Sequence, residues 1–207
     1  MKLRYITFFA ALVLLFGICA VSSCSKTDRF AGSWQSNPER LTGIPGVADA
    51  SAVYTLDLAP LDGDNHNGGV NISAVIEAEI PESAIAGFDQ TYATSIAATA
   101  MVTGHYTIEK DDDNDILLHF DPSSLKVNVD PSGVTFSQNL LSGAQQPLVD
   151  SLSAAAADRM RIALTPVMRD AFNRFIKIED IKVHHSDIMS CELDDRDYTF
   201  RRVGASD

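Results

Sequence analysis

Of its 207 residues this chain spends three on cysteine and one on tryptophan, and its 16 lysines and arginines face 28 aspartates and glutamates. So few thiols exclude a disulfide-stapled scaffold. Cys19 and Cys24 sit together near the start and Cys191 stands alone, so the fold must be held by its core. The formal net charge of −12 repels nucleic-acid phosphate and anionic head groups, and no nucleic-acid partner is expected. Glycine-rich phosphate loops and the Gly-x-Ser-x-Gly nucleophile elbow are absent. No acid–base pair can be singled out by spacing, so neither catalysis nor a cofactor is expected. No apolar run reaches the roughly 18 to 20 residues that a spanning helix needs.

What is present begins at the first residues. Met1-Lys2-Leu3-Arg4 is positively charged, and Tyr5 to Val21 is apolar but for Thr7 and Gly17. A positive segment followed by a short apolar one is the layout of an export signal. The run ends Val21-Ser22-Ser23-Cys24, which resembles the bacterial lipobox. That resemblance implies cleavage before Cys24, a diacylglyceryl group on its sulfur and a fatty acid such as palmitate on the new amino terminus. Several acyl chains at one residue exceed the two signals that stable anchoring requires. The alternative is a plain secretory signal with an incidental cysteine. Ser25 resembles the residue that sorts lipoproteins to the outer membrane, on a side of it that stays open. The organisation expected is a signal peptide over 1–23, a lipidated tether over 24–29 and one domain over 30–207. Losing Lys2 and Arg4 makes the remainder more acidic still.

The body of the chain reads first with period two. Gly32-Ser33-Trp34 opens a first strand, and 37–51, rich in proline and glycine, reads as a loop. Residues 52–58 form a strand that Pro60 ends. From Val70 to Ile80 the residues Val70, Ile72, Ala74, Ile76, Ala78 and Ile80 share one face, and polar residues hold the other. Residues 91–109 alternate in the same way, with Tyr92, Ile96, Ala98, Ala100, Val102, Gly104, Tyr106 and Ile108 on one face, as one long strand or two with a bend. Short runs follow at 116–120, at Leu125 to Val129 and at Val134 to Phe136, each closed by a turn. Tight turns between short strands predict an antiparallel meander, which protects its edges by closing into a barrel.

The period then changes. From Pro147 to Lys177, Leu148, Leu152, Ala156, Met160, Ala163, Val167 and Ala171 recur at helical spacing, with Leu164, Met168, Phe172 and Phe175 alongside. Thr165-Pro166 suits a helix start, so the segment 145–177 reads as two helices or one kinked helix. Such a stripe must cover an end of the barrel, plug it or bind a partner. Strands resume at 178–183, 187–193 and 198–203, for a mainly β fold of about eight strands with a helical insertion before the last ones.

A lipobox, Gly32-Ser33-Trp34 on the first strand, a β meander and a final strand Tyr198 to Val203 together resemble a lipocalin-like bacterial lipoprotein. The helical insertion departs from the usual order of that family. The resemblance implies a calycin-type barrel closed at one end by a basic side chain over the tryptophan. Parity puts Phe200 and Arg202 on one face, so Arg202 is the first choice to cover Trp34 and Arg201 the second.

Other constellations carry less. Ser123-Ser124-Leu125-Lys126 contains Ser-x-x-Lys, without its companion motifs and at the start of a strand. Asp62 to Asn67 and Asp111 to Asp115 read as solvated turns, because the first has Asn67 where a calcium loop needs glycine. His184 and His185 read as strand neighbours pointing to opposite faces, with Asp187 beside His185 and no third metal ligand. Cys191 alternates with Met189 and Leu193 as a core thiol. The expected function is a membrane-anchored binding protein for a small apolar or amphipathic ligand, with Ile72, Ile76, Ala98, Ala100, Val102 and Tyr106 lining its pocket. The second expectation is a filled barrel that presents its surface to another envelope protein, with Phe172, Phe175, Met160 and Met168 occupying the interior. The two differ in whether the helical stripe is buried in its own barrel.

Overall fold

The computed structural model describes residues 29–62, 67–80, 93–109, 113–136 and 146–204. Eleven strands and one long helix make up the fold: β1 (Gly32–Ser36), β2 (Glu39–Arg40), β3 (Asp49–Leu58), β4 (Asn67–Glu79), β5 (Ala93–Ile108), β6 (Ile116–Phe120), β7 (Lys126–Val129), β8 (Thr135–Phe136), α1 (Gln146–Asn173), β9 (Lys177–His184), β10 (Ile188–Leu193) and β11 (Arg196–Arg202). Eight of the strands close an antiparallel ring in the order β1-β11-β10-β9-β6-β5-β4-β3, and β1 pairs back onto β3. Closure leaves no free edge on the ring. The fold is thus a mainly β barrel with, among the described residues, one α-helix before its final strands.

Burial follows the period-two pattern. In β4 Val70, Ile72, Ala74, Ile76 and Ala78 are buried, and in β5 Ile96, Ala98, Ala100 and Val102. Register brings these residues side by side, with Ile72 opposite Val102, Ala74 opposite Ala100 and Ile76 opposite Ala98. Two hairpin turns are set by backbone chemistry. His185 and Ser186 between β9 and β10, and Asp194 and Asp195 between β10 and β11, all have positive φ, as the tight turns that match strand twist require. His185 therefore lies in a turn, not beside His184 on a strand, because the chain must reverse within the three residues between His184 and Ile188.

The chain departs from a simple meander in three places. The segment 37–51 is not wholly loop: β2 pairs at Glu39 with Ala52 and at Arg40 with Ser51, and β3 starts at Asp49. β7 and β8 stay outside the ring, paired to the first half of β5, while β6 pairs only with its second half. The ring passes from β6 to β9 through Ile116–Ile178 and Leu117–Lys177. The third departure is the helix, which continues through Pro166 instead of dividing there. Proline removes one N–H, that which would reach the carbonyl of Ile162. Ile162 is 59% exposed, so water can serve that carbonyl. The Thr165 hydroxyl donates to the Arg161 carbonyl at 2.7 Å, which binds the preceding turn.

The helix packs on β7, on β5 and on the turn at Pro131–Gly133. Its buried face runs through Ser153, Ala156, Ala157, Met160, Leu164, Met168, Ala171 and Phe172. Leu148, on the same expected stripe, is exposed. No helix among the described residues is long and apolar enough to cross a membrane.

Candidate functional site

The barrel interior is the first place to look for a site. Ile72, Ile76, Ala98, Ala100, Val102 and Tyr106 are all buried, none more than 4% exposed. They share one continuous apolar cluster with Met160, Leu164, Met168, Phe172 and Phe175. The Phe175 ring lies 5.3 Å from that of Tyr54 and 6.4 Å from that of Phe200, so it stands between β3 and β11. Phe172 meets Tyr54 edge-on at 6.3 Å. Phe172 and Phe175 thus pack on Tyr54, which stands opposite Ala74 in the β3–β4 register. Tyr106 sits apart from the other five, toward the end where β1 begins. Its hydroxyl donates to the Ala59 carbonyl at 2.6 Å, and its ring occupies the space that a side chain at Gly68 would need.

That end is closed by the Gly-x-Trp segment. Trp34 is fully buried, and its indole N–H donates to the Phe30 carbonyl at 2.8 Å. Arg202 stands opposite Trp34 in the β1–β11 register, with its guanidinium carbon 4.2 Å from the centre of the indole. Its Nε donates to the Ser186 carbonyl at 2.6 Å and its Nη1 to the Ala31 carbonyl at 3.0 Å, tying β1, β11 and the β9–β10 turn together. Gly32 makes this possible. Its φ is +136°, and a Cβ there would collide with Arg202 Nη1. Partial burial pushes the Arg202 guanidinium below its ordinary pKa.

The opposite end carries a polar cluster that spacing alone could not assemble. Arg174 donates to Tyr198 Oη at 3.2 Å, Glu39 Oε2 at 3.3 Å and Tyr54 Oη at 3.3 Å. Glu39 comes from β2, Tyr54 from β3, Tyr198 from β11 and Arg174 from the segment after α1. Burial pushes the Tyr54 hydroxyl up to about 12, against the lowering effect of Arg174. The other Glu39 oxygen, Oε1, is buried with no hydrogen-bond partner among the described residues. This group pins the end of the helix to the barrel mouth.

The smaller constellations resolve into structure. Ser123 and Ser124 lie in a 3-10 turn at Pro122–Ser124 that Asp121 caps. The Ser123 hydroxyl donates to Asp121 Oδ1 at 2.7 Å, and Ser124 Oγ accepts from the Thr103 N–H at 2.9 Å. Both hydroxyls are engaged, and Lys126 opens β7. Asp130-Pro131-Ser132 repeats the arrangement at the other end of β7, and in both turns the serine hydrogen bonds hold the aspartate below its usual range. Cys191 is buried, as are Met189 and Leu193 in the same strand alternation, and burial pushes its thiol up to about 12. Among the described residues no three His, Cys, Asp or Glu side chains group as a metal would require. Cys24, the 63–66 part of the Asp62 loop, and Asp111 and Asp112 lie outside the described residues.

Fold and site together define a closed eight-stranded antiparallel barrel with its helix packed into the core. None of the family models, curated proteins or solved structures compared with the chain matches it.

Proposed function

We propose that this chain is a lipid-anchored envelope protein whose lipocalin-like barrel is filled by its own helix and which works through its outer surface. The observation that carries the reading is the burial of Met160, Met168, Phe172 and Phe175 in one cluster with the six residues of the expected pocket. A core packed to ordinary protein density leaves no room for a second apolar occupant. The anchor would be the acylated Cys24, the location the outer membrane and the partner another envelope protein. No reaction is assigned to it.

A second reading keeps the small apolar ligand. Ala74, Ala98 and Ala100 face inward from β4 and β5, and α1 packs on β5 and β7. Displacing α1 would open a chamber lined by small residues, so a ligand could take the place of Phe172 and Phe175. Native mass spectrometry of the protein purified gently from its own envelope separates the two. A clean mass with no uptake of apolar fluorescent probes is expected. A stoichiometric co-purifying small molecule would replace the filled-barrel reading with the ligand one. The anchor is tested by Cys24→Ala, which should abolish metabolic labelling by palmitate and release the protein from its acyl anchor. Undiminished labelling of the variant would refute lipidation at Cys24.

A further inference from the structure

At the end of the barrel where β1 begins, an open groove of about 560 Å³ is bordered by Arg29, Asn114, Lys182, Ser186 and Arg202. Three elements meet there: the segment before β1, the β5–β6 turn and the β9–β10 hairpin. Among the described residues its lining has three cations and no carboxylate, in a chain with 28 acidic residues against 16 basic ones. Elsewhere Arg40, Arg161, Arg174 and Lys177 are paired with carboxylates, while Lys126, Arg169, Arg196 and Arg201 are scattered and take part in no ion pair among the described residues. Arg29, Lys182 and Arg202 take part in no ion pair among the described residues.

Their contacts are to neutral groups. Arg29 donates to the Asp113 carbonyl and to Asn114 Oδ1, and its guanidinium carbon lies 4.5 Å from the centre of the Phe30 ring. Arg202 is held by the Ser186 and Ala31 carbonyls and by Trp34. Each guanidinium has five N–H donors, and these contacts use only some of them. Both are fixed in place by their stacking and bonding, so a phosphate would meet preset donors rather than side chains it must order. Lys182 is exposed and adds a mobile point charge at the rim.

We propose that this groove binds the phosphate of an anionic phospholipid headgroup. The assignment rests on the anchored reading above. Arg29 follows Cys24 by five residues, a length of chain that spans at most about 18 Å. An acyl anchor at Cys24 would therefore hold the groove within reach of the headgroup layer. Phosphate oxygens match the forked donors of arginine, and lipid phosphates are the anions concentrated at that surface. The barrel would then sit on the bilayer by its closed end, with the Glu39–Arg174 end pointing away.

The test uses the full-length chain carrying Cys24→Ala in a neutral maltoside detergent, so that acylation contributes nothing. Titration calorimetry at low salt compares short-chain phosphatidylglycerol, short-chain phosphatidylcholine and inorganic phosphate. Phosphatidylglycerol should bind, with Lys182→Glu weakening it at least about tenfold and Lys182→Arg leaving it nearly intact. The exposed Lys182 changes without loss of packing, and every variant keeps Lys2 and Arg4, so a difference reports the groove. Equal binding of phosphatidylcholine, or an unchanged affinity in Lys182→Glu, would overturn the proposal. Inorganic phosphate binding as tightly as the lipid would overturn the headgroup assignment in favour of free phosphate. Palmitate labelling of Cys24 in cells is a separate measurement, so failure of the anchor and failure of the groove are told apart.

Discussion

Truncating Phe175 to alanine probes the filled interior most directly. The side chain is fully buried, with the Tyr54 and Phe200 rings 5.3 and 6.4 Å away, and it sits between the end of α1 and the start of β9. Removing the ring loses its transfer energy, its aromatic contacts and the packing around the hole, about 3 to 5 kcal/mol for a buried phenylalanine. For a domain of this size each kcal/mol lowers Tm by about 2 to 4 °C, so the variant should melt on the order of 10 °C below the parent. Urea and thermal unfolding can be followed by the fluorescence of Trp34, the only tryptophan and itself fully buried. Phe175→Leu keeps most of the volume and should lose only about 1 kcal/mol. If the alanine variant lost less than about 1 kcal/mol with an unchanged unfolding slope, Phe175 would not be enclosed, and the filled barrel would have to be given up. A variant that stays folded should also acquire uptake of small apolar probes that the parent lacks.

Gly32→Ala should be destabilising by about 1 to 3 kcal/mol, since it strains a backbone at φ +136° and displaces Arg202 from Trp34. A loss no larger than that of an ordinary surface substitution in urea unfolding would show that the Gly32–Arg202 contact does not matter. The Tyr54 hydroxyl, pushed up to about 12 by burial against 10.0 in the unfolded chain, supplies stability that is whole below about pH 10 and lost as pH rises through 12. Tyr54→Phe should flatten that part of the stability profile, and an equally steep loss in the variant would assign it to another group. The Cys191 thiol should resist a disulfide reagent at pH 8 until the chain is unfolded, measured as the difference from Cys191→Ser. Rapid labelling of the native protein at that position would contradict its place in the core.

What local chemistry decides was open to reading in the sequence. The alternation of β4 and β5 follows from the two-residue period of a strand, so Ile72, Ile76, Ala98, Ala100 and Val102 fall on one face wherever the sheet goes. The switch to spacing of three and four marks α1, and the apolar width of its stripe marks an element that must be covered. The closed ring and the late helix follow from those periods and their order along the chain. The two-residue β2 escaped notice because its pairing depends on β3 and not on its own residues. Two helices and one kinked helix were both open at Pro166, and the choice of one continuous α1 rests on tertiary surroundings, because a proline's cost depends on whether water can reach the freed carbonyl.

Tertiary structure alone decided the rest, and for one reason: the sites bring together residues far apart in the chain. Nothing local places Glu39, Tyr54, Arg174 and Tyr198 around one guanidinium, or sets Arg29, Lys182 and Arg202 around one groove. Individually these are ordinary polar residues of an acidic chain, and only closure of the barrel brings them side by side. The sequence by itself determined the strand faces of β4 and β5 and the helix. The tertiary structure decided that β7 and β8 stay outside the ring and that the buried face of the helix joins one apolar cluster with the inward-facing alanines. It did so because burying the stripe of Met160, Met168 and Phe172 removes more apolar surface from water than an empty chamber could.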